Sequence, residues 1–349
     1  MSTLLITGGA GFIGCHFVRM AANNTDDRLI ILDDLTYAGD ITRLRDLIDS
    51  KRITFIKGNI CDSALLEKLF SDHCFDIVVN FAAESHVDRS ILGPRAFITT
   101  NVEGTYTLLE AARKSWKSID NKLFLQVSTD EVYGALGPDD PPFNENSQYK
   151  PNSPYSASKA ASDHLARAWH KTYSLPAVIT NCSNNYGIWQ FPEKLIPLMI
   201  LNALEGKELP IYGDGQQVRD WVHVEDHCSA LLKIIQKGIP GEVYLIGANE
   251  EKANLDVVKQ ICGVVDSLID NPPGTSARLM KTVADRPGHD RRYAIDNTKT
   301  CVKLGWTPRH SFETALPQIA AWYIENRLWA DRVRSGEYQS FYEKQYGTR

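Results

Sequence analysis

The chain of 349 residues has 43% hydrophobic and 23% charged side chains and a formal net charge of −5, with both signs scattered along it. That is a globular composition, with room for two domains or one large composite one. It excludes a basic nucleic-acid-binding stripe and an apolar run of about 20 residues that would cross a bilayer. The start, Met1-Ser2-Thr3-Leu4, enters a strand without the basic region of a secretory signal. The seven cysteines (15, 61, 74, 182, 228, 262 and 301) are odd in number, widely spread and never spaced C-x-x-C. They fit reduced, mostly buried thiols of a cytoplasmic protein.

Leu4-Leu5-Ile6 is a short apolar run followed at once by T-G-G-A-G-F-I-G, Thr7 to Gly14. Apolar residues then recur at Phe12, Ile13, Phe17, Val18 and Ala21, a helical period, so the stretch reads strand, glycine turn, helix. Gly8, Gly11 and Gly14 match G-x-x-G-x-x-G, a relative of the dinucleotide fingerprint, in which backbone approaches a pyrophosphate and a helix start offers N–H groups. The next apolar run, Leu29 to Leu32, ends in Asp33. An acid about 20 residues past the glycines suits a ribose 2′-hydroxyl and would repel a 2′-phosphate, which favours NAD over NADP. Singly, the glycines would serve a tight turn and Asp33 a helix cap; in this order and spacing they read as a dinucleotide site. A phosphate loop would need G-K-[ST], which is absent.

Alternation continues. Ile53 to Ile56 reads as a strand, and Asp62-Ser63 caps a helix running to about Ser71. Asp76 to Phe81 is a strand ending in Ala82-Ala83, a turn small enough to lie against a flat ring, though ordinary strand-end packing explains it equally well. A long helix from about Pro94 to Lys117 carries Asn101 and Thr105. The strand Leu123 to Val127, a helix near Ser153 to Tyr173 and the strand Ala177 to Thr180 follow. Near-continuous apolar strands alternating with helices predict an α/β, Rossmann-like doubly wound parallel sheet covered on both faces.

After about Tyr186 the rhythm weakens. Helices are expected over Phe191 to Glu205, Val224 to Lys237, Leu255 to Leu268, near Thr298 to Leu304 and over Phe312 to Asn326, before a polar tail. Pro210 to Gly215 reads as strand and turn, and Glu242 to Ile246 as a strand rejoining the first sheet. The expected division is a dinucleotide domain over 1–187, rejoined near 220–247, and a smaller α/β domain over 188–349. The pair His223-x-x-x-His227 shares a helix face, but H-E-x-x-H is not formed and no third ligand is evident, so no metal is expected.

Two motifs carry chemistry. Tyr155 and Lys159, four apart on the expected helix, stack a phenol and an ammonium on one face. Tyrosine titrates near 10, so as a base it needs its anion stabilised by such a cation. Thr129, Asp130 and Glu131 follow the apolar strand, at the C-terminal edge where open parallel sheets bind ligands. Adjacent residues on a strand point to opposite faces, so for both acids to meet one ligand the backbone must bend just after Thr129. Two neighbouring carboxyl groups also raise one proton affinity, which suits a protonated Asp130. Without the Tyr155–Lys159 pair, the acids would read as a solvated turn.

The fingerprint, Tyr155-x-x-x-Lys159 and S-T-D-E-V-Y-G (Ser128 to Gly134) together resemble the extended short-chain dehydrogenase/reductase family. Within it, nearly the whole chain looks like the nucleotide-sugar 4,6-dehydratases. The resembling segments are L-T-Y-A-G from Leu35, A-A-E-S-H-V-D-R-S from Ala82, N-N-Y-G from Asn184, F-P-E-K-L-I-P from Phe191, R-D-W from Arg219 and D-R-P-G-H-D-R-R-Y from Asp285. The Asp130-Glu131 pair is the most specific. One departure is Gly58-Asn59-Ile60, where the family has G-D-I with the Asp at the adenine; an amide oxygen still accepts from an adenine amino group.

The resemblance implies tightly bound NAD, regenerated each cycle, a dTDP-glucose substrate, a homodimer formed by the helices near 94–117 and 153–173, and a commonest role in rhamnose supply. It implies C4 oxidation with Tyr155 as base, Lys159 and Thr129 supporting, then water loss across C5 and C6 with Glu131 as base and Asp130 as acid, and hydride return to C6. For the cofactor it implies Gly8, Gly11, Phe12, Ile13, Gly14, Asp33, Asp34, Leu35, Thr36, Asn59, Ile60, Phe81, Ala82, Ala83, Ser85, Thr100, Tyr155, Lys159 and Asn185. For the substrate it implies Ser85, His86, Thr129, Asn184, Lys194, Leu195, Pro210, Ile211, Tyr212, Arg219, Asn254, Asp285, Arg286, His289 and Tyr293. The rivals are a nucleotide-sugar 4-epimerase of the same family, independent of Asp130 and Glu131, and a non-catalytic NAD-responsive module, which would have a broken catalytic set.

Overall fold

The computed structural model describes residues 1–335. Its strands are β1 (Thr3–Thr7), β2 (Arg28–Asp33), β3 (Ile53–Lys57), β4 (Ile77–Asn80), β5 (Leu123–Thr129), β6 (Ala177–Cys182), β7 (Asn184–Tyr186), β8 (Leu209–Tyr212), β9 (Val218–His223), β10 (Val243–Ile246), β11 (Glu251–Ala253) and β12 (Met280–Val283). Seven of these form one sheet in the order β10-β6-β5-β4-β1-β2-β3, every pairing parallel. The order reverses between β1 and β4, and at such a switch point the loops part to leave a crevice above the strand ends.

Both faces are covered, which is why these strands read as unbroken apolar runs. On one face, Phe17, Val18 and Ala21 of the helix Phe12–Asn24 pack with Cys228, Leu231 and Ile234 of the helix Val224–Lys237. On the other, Leu66, Leu69 and Phe70 of Ser63–His73 meet Leu108, Leu109 and Ala112 of Thr105–Ser115. A separate core joins Ile196, Met199 and Ile200 of Leu195–Leu204 to Val257, Val258 and Ile261 of Asn254–Leu268 and to Leu316 and Ile319 of Phe312–Glu325. It carries two small sheets, β11-β9-β7 and β12-β8. β7 follows β6 almost at once, so the chain steps directly from the large sheet into the second assembly.

Three expectations change. The helix expected from Pro94 to Lys117 is split into Pro94–Phe97, a π-helical stretch Ile98–Gly104 and Thr105–Ser115. Asn101 lies in that stretch, accepting from Glu84 N at 2.8 Å and donating to Glu84 O at 3.0 Å and Ser158 Oγ at 2.8 Å. These bonds tie the bulge to the strand-end loop and to the neighbouring helix, the kind of place where π-bulges occur. The helix expected from Phe191 starts at Leu195, because Phe191–Lys194 closes as a turn, Lys194 N donating to Phe191 O at 3.1 Å. The polar tail begins instead with a helix, Arg327–Val333, and continues beyond residue 335 outside the described residues. Trp329 and Arg332 of this helix both donate to Asp40 Oδ2, at 2.8 and 2.7 Å. Among the described residues all seven cysteines are unpaired, and no helix is long and apolar enough to cross a membrane.

In the second assembly, buried Asp266 in the last turn of Asn254–Leu268 pins the following loop by accepting from Ser276 N at 3.0 Å and Ser276 Oγ at 2.6 Å. Asp266→Ala leaves the buried Ser276 N–H unpaired. Chemical denaturation should show a loss of roughly 1–3 kcal/mol, with turnover at saturating substrate kept.

Candidate active site

Above the C-terminal ends of β1, β4, β5 and β6 lies a cleft of about 310 Å³. One end is built from backbone. Gly8 has φ +67° and sits so close to the end of β4 that a Cβ there would lie 2.7 Å from Ala82 N. At Gly14 a Cβ would collide with the Gly8 carbonyl oxygen. The helix Phe12–Asn24 has Gly11 at its N-cap and no side-chain cap, so its first N–H groups face the glycine turn unsatisfied by side chains. Asp33 ends β2, and two backbone N–H groups fix its carboxylate: Ala10 N at 2.9 Å and Leu35 N at 2.8 Å. A glycine cradle too tight for side chains, an uncapped helix start and a fixed acid at the next strand end fit a dinucleotide such as NAD.

All the residues expected at the cofactor line this cleft except Leu35, whose φ of +54° and bond to Asp33 make it a turn residue. Asn59 lines it too, its Oδ1 accepting from Cys61 N at 2.8 Å and its Nδ2 donating to Asp34 Oδ2 at 2.8 Å. Buried Arg43 was not legible as a site residue. It donates to Ala10 O at 2.8 Å, Ala38 O at 3.1 Å and Trp189 O at 3.0 Å, tying the glycine turn to the loop over Asp33 and to the chain leaving β7.

At the other end, β5 stays extended through Thr129 and then turns into a 3₁₀ segment, Asp130–Tyr133, with Glu131 N donating to Thr129 Oγ1 at 3.3 Å. The bend brings Thr129, Asp130 and Glu131 into the same cleft wall as Tyr155 and Lys159. Burial, then the charge of Glu131, pushes the Asp130 carboxyl well above the usual carboxylate range. Burial raises Glu131 too, but Lys194, Arg219 and Arg286 all pull it back towards the ionised form. Both adjacent carboxyls are thus raised, and on Glu131 three cations oppose the rise.

Tyr155 is held phenolic, well above its usual range, by burial and by Glu131, while a hydrogen bond to Thr129 works the other way. Lys159 is buried and donates to Val127 O at 2.7 Å. One helical turn on, buried Asp163 accepts from Tyr149 OH and Asn181 Nδ2, both at 3.1 Å. This carboxylate beneath the ammonium was missed, although its position four residues after Lys159 puts it on the same helix face.

The residues expected at the substrate divide. Ser85, Thr129, Asn184 and Lys194 line the cleft, whereas His86 and Leu195 do not. Lys194 donates to Ser85 O at 2.9 Å. Neighbouring Glu193, also missed, accepts from Arg89 Nε at 3.0 Å and Tyr37 OH at 2.9 Å. Pro210, Ile211, Tyr212, Arg219, Asn254, Asp285, Arg286, His289 and Tyr293 lie outside the cleft lining, several of them in a connected group in the second assembly. There Arg219 stacks over Tyr293 at 4.2 Å and donates to Asp290 O at 2.9 Å. Arg286 lies over Tyr212 at 5.1 Å and grips Asp88 through two bonds of 2.7 and 2.9 Å. His289 Nδ1 is 2.7 Å from Asp285 Oδ1. The charges of Arg219 and Arg286 are felt at Glu131.

The fold and the Tyr155–Lys159 site together define a dinucleotide-dependent enzyme of the extended short-chain dehydrogenase/reductase class. The sequence model of the family described as GDP-mannose 4,6 dehydratase matches residues 5–319, and the chain belongs to that family. It is 53% identical over 357 aligned residues to a dTDP-glucose 4,6-dehydratase of Shigella flexneri, with 98% of each chain covered. Among solved structures it is similar to the dTDP-glucose 4,6-dehydratase of Streptomyces venezuelae with NAD bound, at 44% identity and a TM-score of 0.87, covering 95% of this chain and 99% of the other. It is equally similar in sequence, 44%, to that of Bacillus anthracis in complex with NAD, at a TM-score of 0.85 and coverages of 95% and 100%.

Burial, opposed by the Lys159 ammonium, pushes the Asp163 carboxyl up from 3.8 to about 6. A folded-state value above the unfolded one means stability that is complete below the unfolded value and lost as pH rises through the folded one. The melting temperature of the native chain should therefore fall relative to Asp163→Asn between about pH 4 and pH 6. Paired thermal melts showing a constant difference across that window would contradict this.

Proposed function

We propose that this protein removes water from dTDP-glucose across C5 and C6, giving dTDP-4-keto-6-deoxyglucose, as an NAD-dependent hydro-lyase. The observation that carries the reading is the turn after Thr129, which brings two adjacent carboxyls, one of them faced by three cations, into the wall that holds Tyr155. The names of the relatives support the same substrate and reaction.

The C5 proton of a hexose is not acidic until C4 is a ketone, so oxidation must come first. Tyr155 accepts the C4 hydroxyl proton. Its burial makes the bare phenolate costly, so the base forms only with positive charge alongside, a part we assign to the Lys159 ammonium one helical turn on. Thr129 holds the phenol. Bound NAD supplies the hydride acceptor at C4 and afterwards the hydride donor at C6. Glu131, whose rise three cations oppose, removes the C5 proton, and protonated Asp130 gives its proton to the departing C6 hydroxyl. Glu131 then returns a proton to C5. Lys194, Arg219 and Arg286 face the diphosphate, with residues 188–349 serving the nucleotide sugar and 1–187 the cofactor.

The chain works as a homodimer through the helices on either side of the π-helical stretch and the helix Pro154–Tyr173. Leu92, Ile98, Tyr106 and Tyr173 leave apolar surface exposed there. Its unpaired thiols support a reducing, cytoplasmic setting.

Incubation with dTDP-glucose should give a product lighter by one water; an unchanged mass would indicate epimerisation instead. Glu131→Gln should keep C4 oxidation, seen as NADH absorbance, while product formation falls about 100- to 10,000-fold. Normal turnover by that variant would remove Glu131 as the base. Tyr155→Phe should slow NADH formation itself by a similar factor.

A further inference from the structure

Away from the cleft, the described residues bring one set of metal-ligating side chains together: His223, Glu225 and His310, one donor atom of each lying within 4.8 Å of the others. The spacing His223-x-x-x-His227 points to the wrong partner. His227 is buried, its Nδ1 2.9 Å from Asn185 Oδ1, and so is turned towards the cleft wall. The missing ligand arrives from the loop before the helix Phe312–Glu325. The His310 ring stacks on that of His223 with centroids 4.1 Å apart and planes 27° from parallel.

A second observation concerns how His310 is held. Its buried Nδ1 lies 3.1 Å from Asp226 Oδ1 but without hydrogen-bond geometry. Asp226 is 2% exposed, and its other oxygen accepts from Arg309 N at 3.0 Å and His310 N at 2.9 Å. Asp226 thus fixes the His310 backbone, and with Nδ1 buried the ring offers its other nitrogen as the ligand. That other atom, His310 Nε2, is the one facing Glu225, 3.7 Å from Oε2. His223 is half-buried and Glu225 exposed, so water can complete the coordination.

We propose that His223, Glu225 and His310 form a binding site for a borderline divalent transition ion, zinc(II) foremost, with Asp226 as the positioning residue of His310. Two imidazoles and one carboxylate, with water in the fourth place, are a zinc donor set. The ion would join the end of β9 and the start of the helix Val224–Lys237, which packs on the large sheet, to the loop leading into Phe312–Glu325 of the second assembly. Its effect would be to stiffen that junction rather than to take part in water loss. The competing account is an aromatic stack of the two histidines with the acids pairing a protonated His310.

The test uses the cofactor-loaded enzyme, freed of metal with a chelator. Equilibrium dialysis against zinc chloride should show one saturable ion per chain and a higher melting temperature. Cobalt(II) should give visible d–d bands of a low-coordinate site. His310→Ala and His223→Ala should each abolish the bands, and Asp226→Asn should weaken binding about 10- to 100-fold. Melts without metal check that each variant is folded, and turnover should be unaffected by His310→Ala. No saturable binding to the native enzyme, or undiminished binding and unchanged cobalt bands in the double histidine variant, overturns the proposal.

Discussion

The bend after Thr129 is the constraint on which the chemistry depends. An extended strand would send Asp130 and Glu131 to opposite faces, one into the sheet's helix layer. Thr129 prevents this by accepting from Glu131 N while Asp130 begins a 3₁₀ turn. Both acids then share a wall with Tyr155 and Lys159; Asp130, Tyr155 and Lys159 are buried and Glu131 is half-buried. In that setting each charge is strongly felt by the others, so small differences in neighbours decide which group keeps a proton.

The large sheet supplies rigidity and the second assembly supplies charge. Lys194, Arg219 and Arg286 come from three separate places: the turn before Leu195–Leu204, strand β9, and the loop after β12. Arg219 and Arg286 are braced by aromatic rings, Tyr293 and Tyr212. A buried guanidinium held over a ring keeps its orientation without a permanent carboxylate partner. Arg286 nevertheless has one, Asp88, through which the loop after β12 is anchored to the segment following β4.

Much of this was legible in the sequence because the signals were local. The glycine turn, the strands up to β6 and the Tyr155–Lys159 pair all rest on short-range spacing and apolar periodicity. What escaped was set by contacts distant in sequence. Strand β9, Val218–His223, alternates no clear apolar face, since its buried Arg219 and Asp220 are satisfied by partners at Asp290 and near residues 248–250. The π-helical stretch depends on Asn101 reaching Glu84 and Ser158, which no periodicity reveals. His310 is invisible as a neighbour of His223 until the chain is folded. The helix Arg327–Val333 was hidden because its arginines are bonded to Asp40 and Glu205, partners distant in sequence.

That last helix changes how the dinucleotide end of the molecule behaves. Ala38 and Gly39 border the cleft, and Asp40, next in the chain, is the residue that Trp329 and Arg332 hold. Arg332 also reaches Thr42 Oγ1 at 2.7 Å, and Arg43 sits over the Trp329 ring. The loop that borders this part of the cleft is therefore fastened to the helix Arg327–Val333. A catalyst that hands its hydride back to the same molecule gains nothing by exchanging its redox partner, and the helix Arg327–Val333 braces the loop beside that part of the cleft.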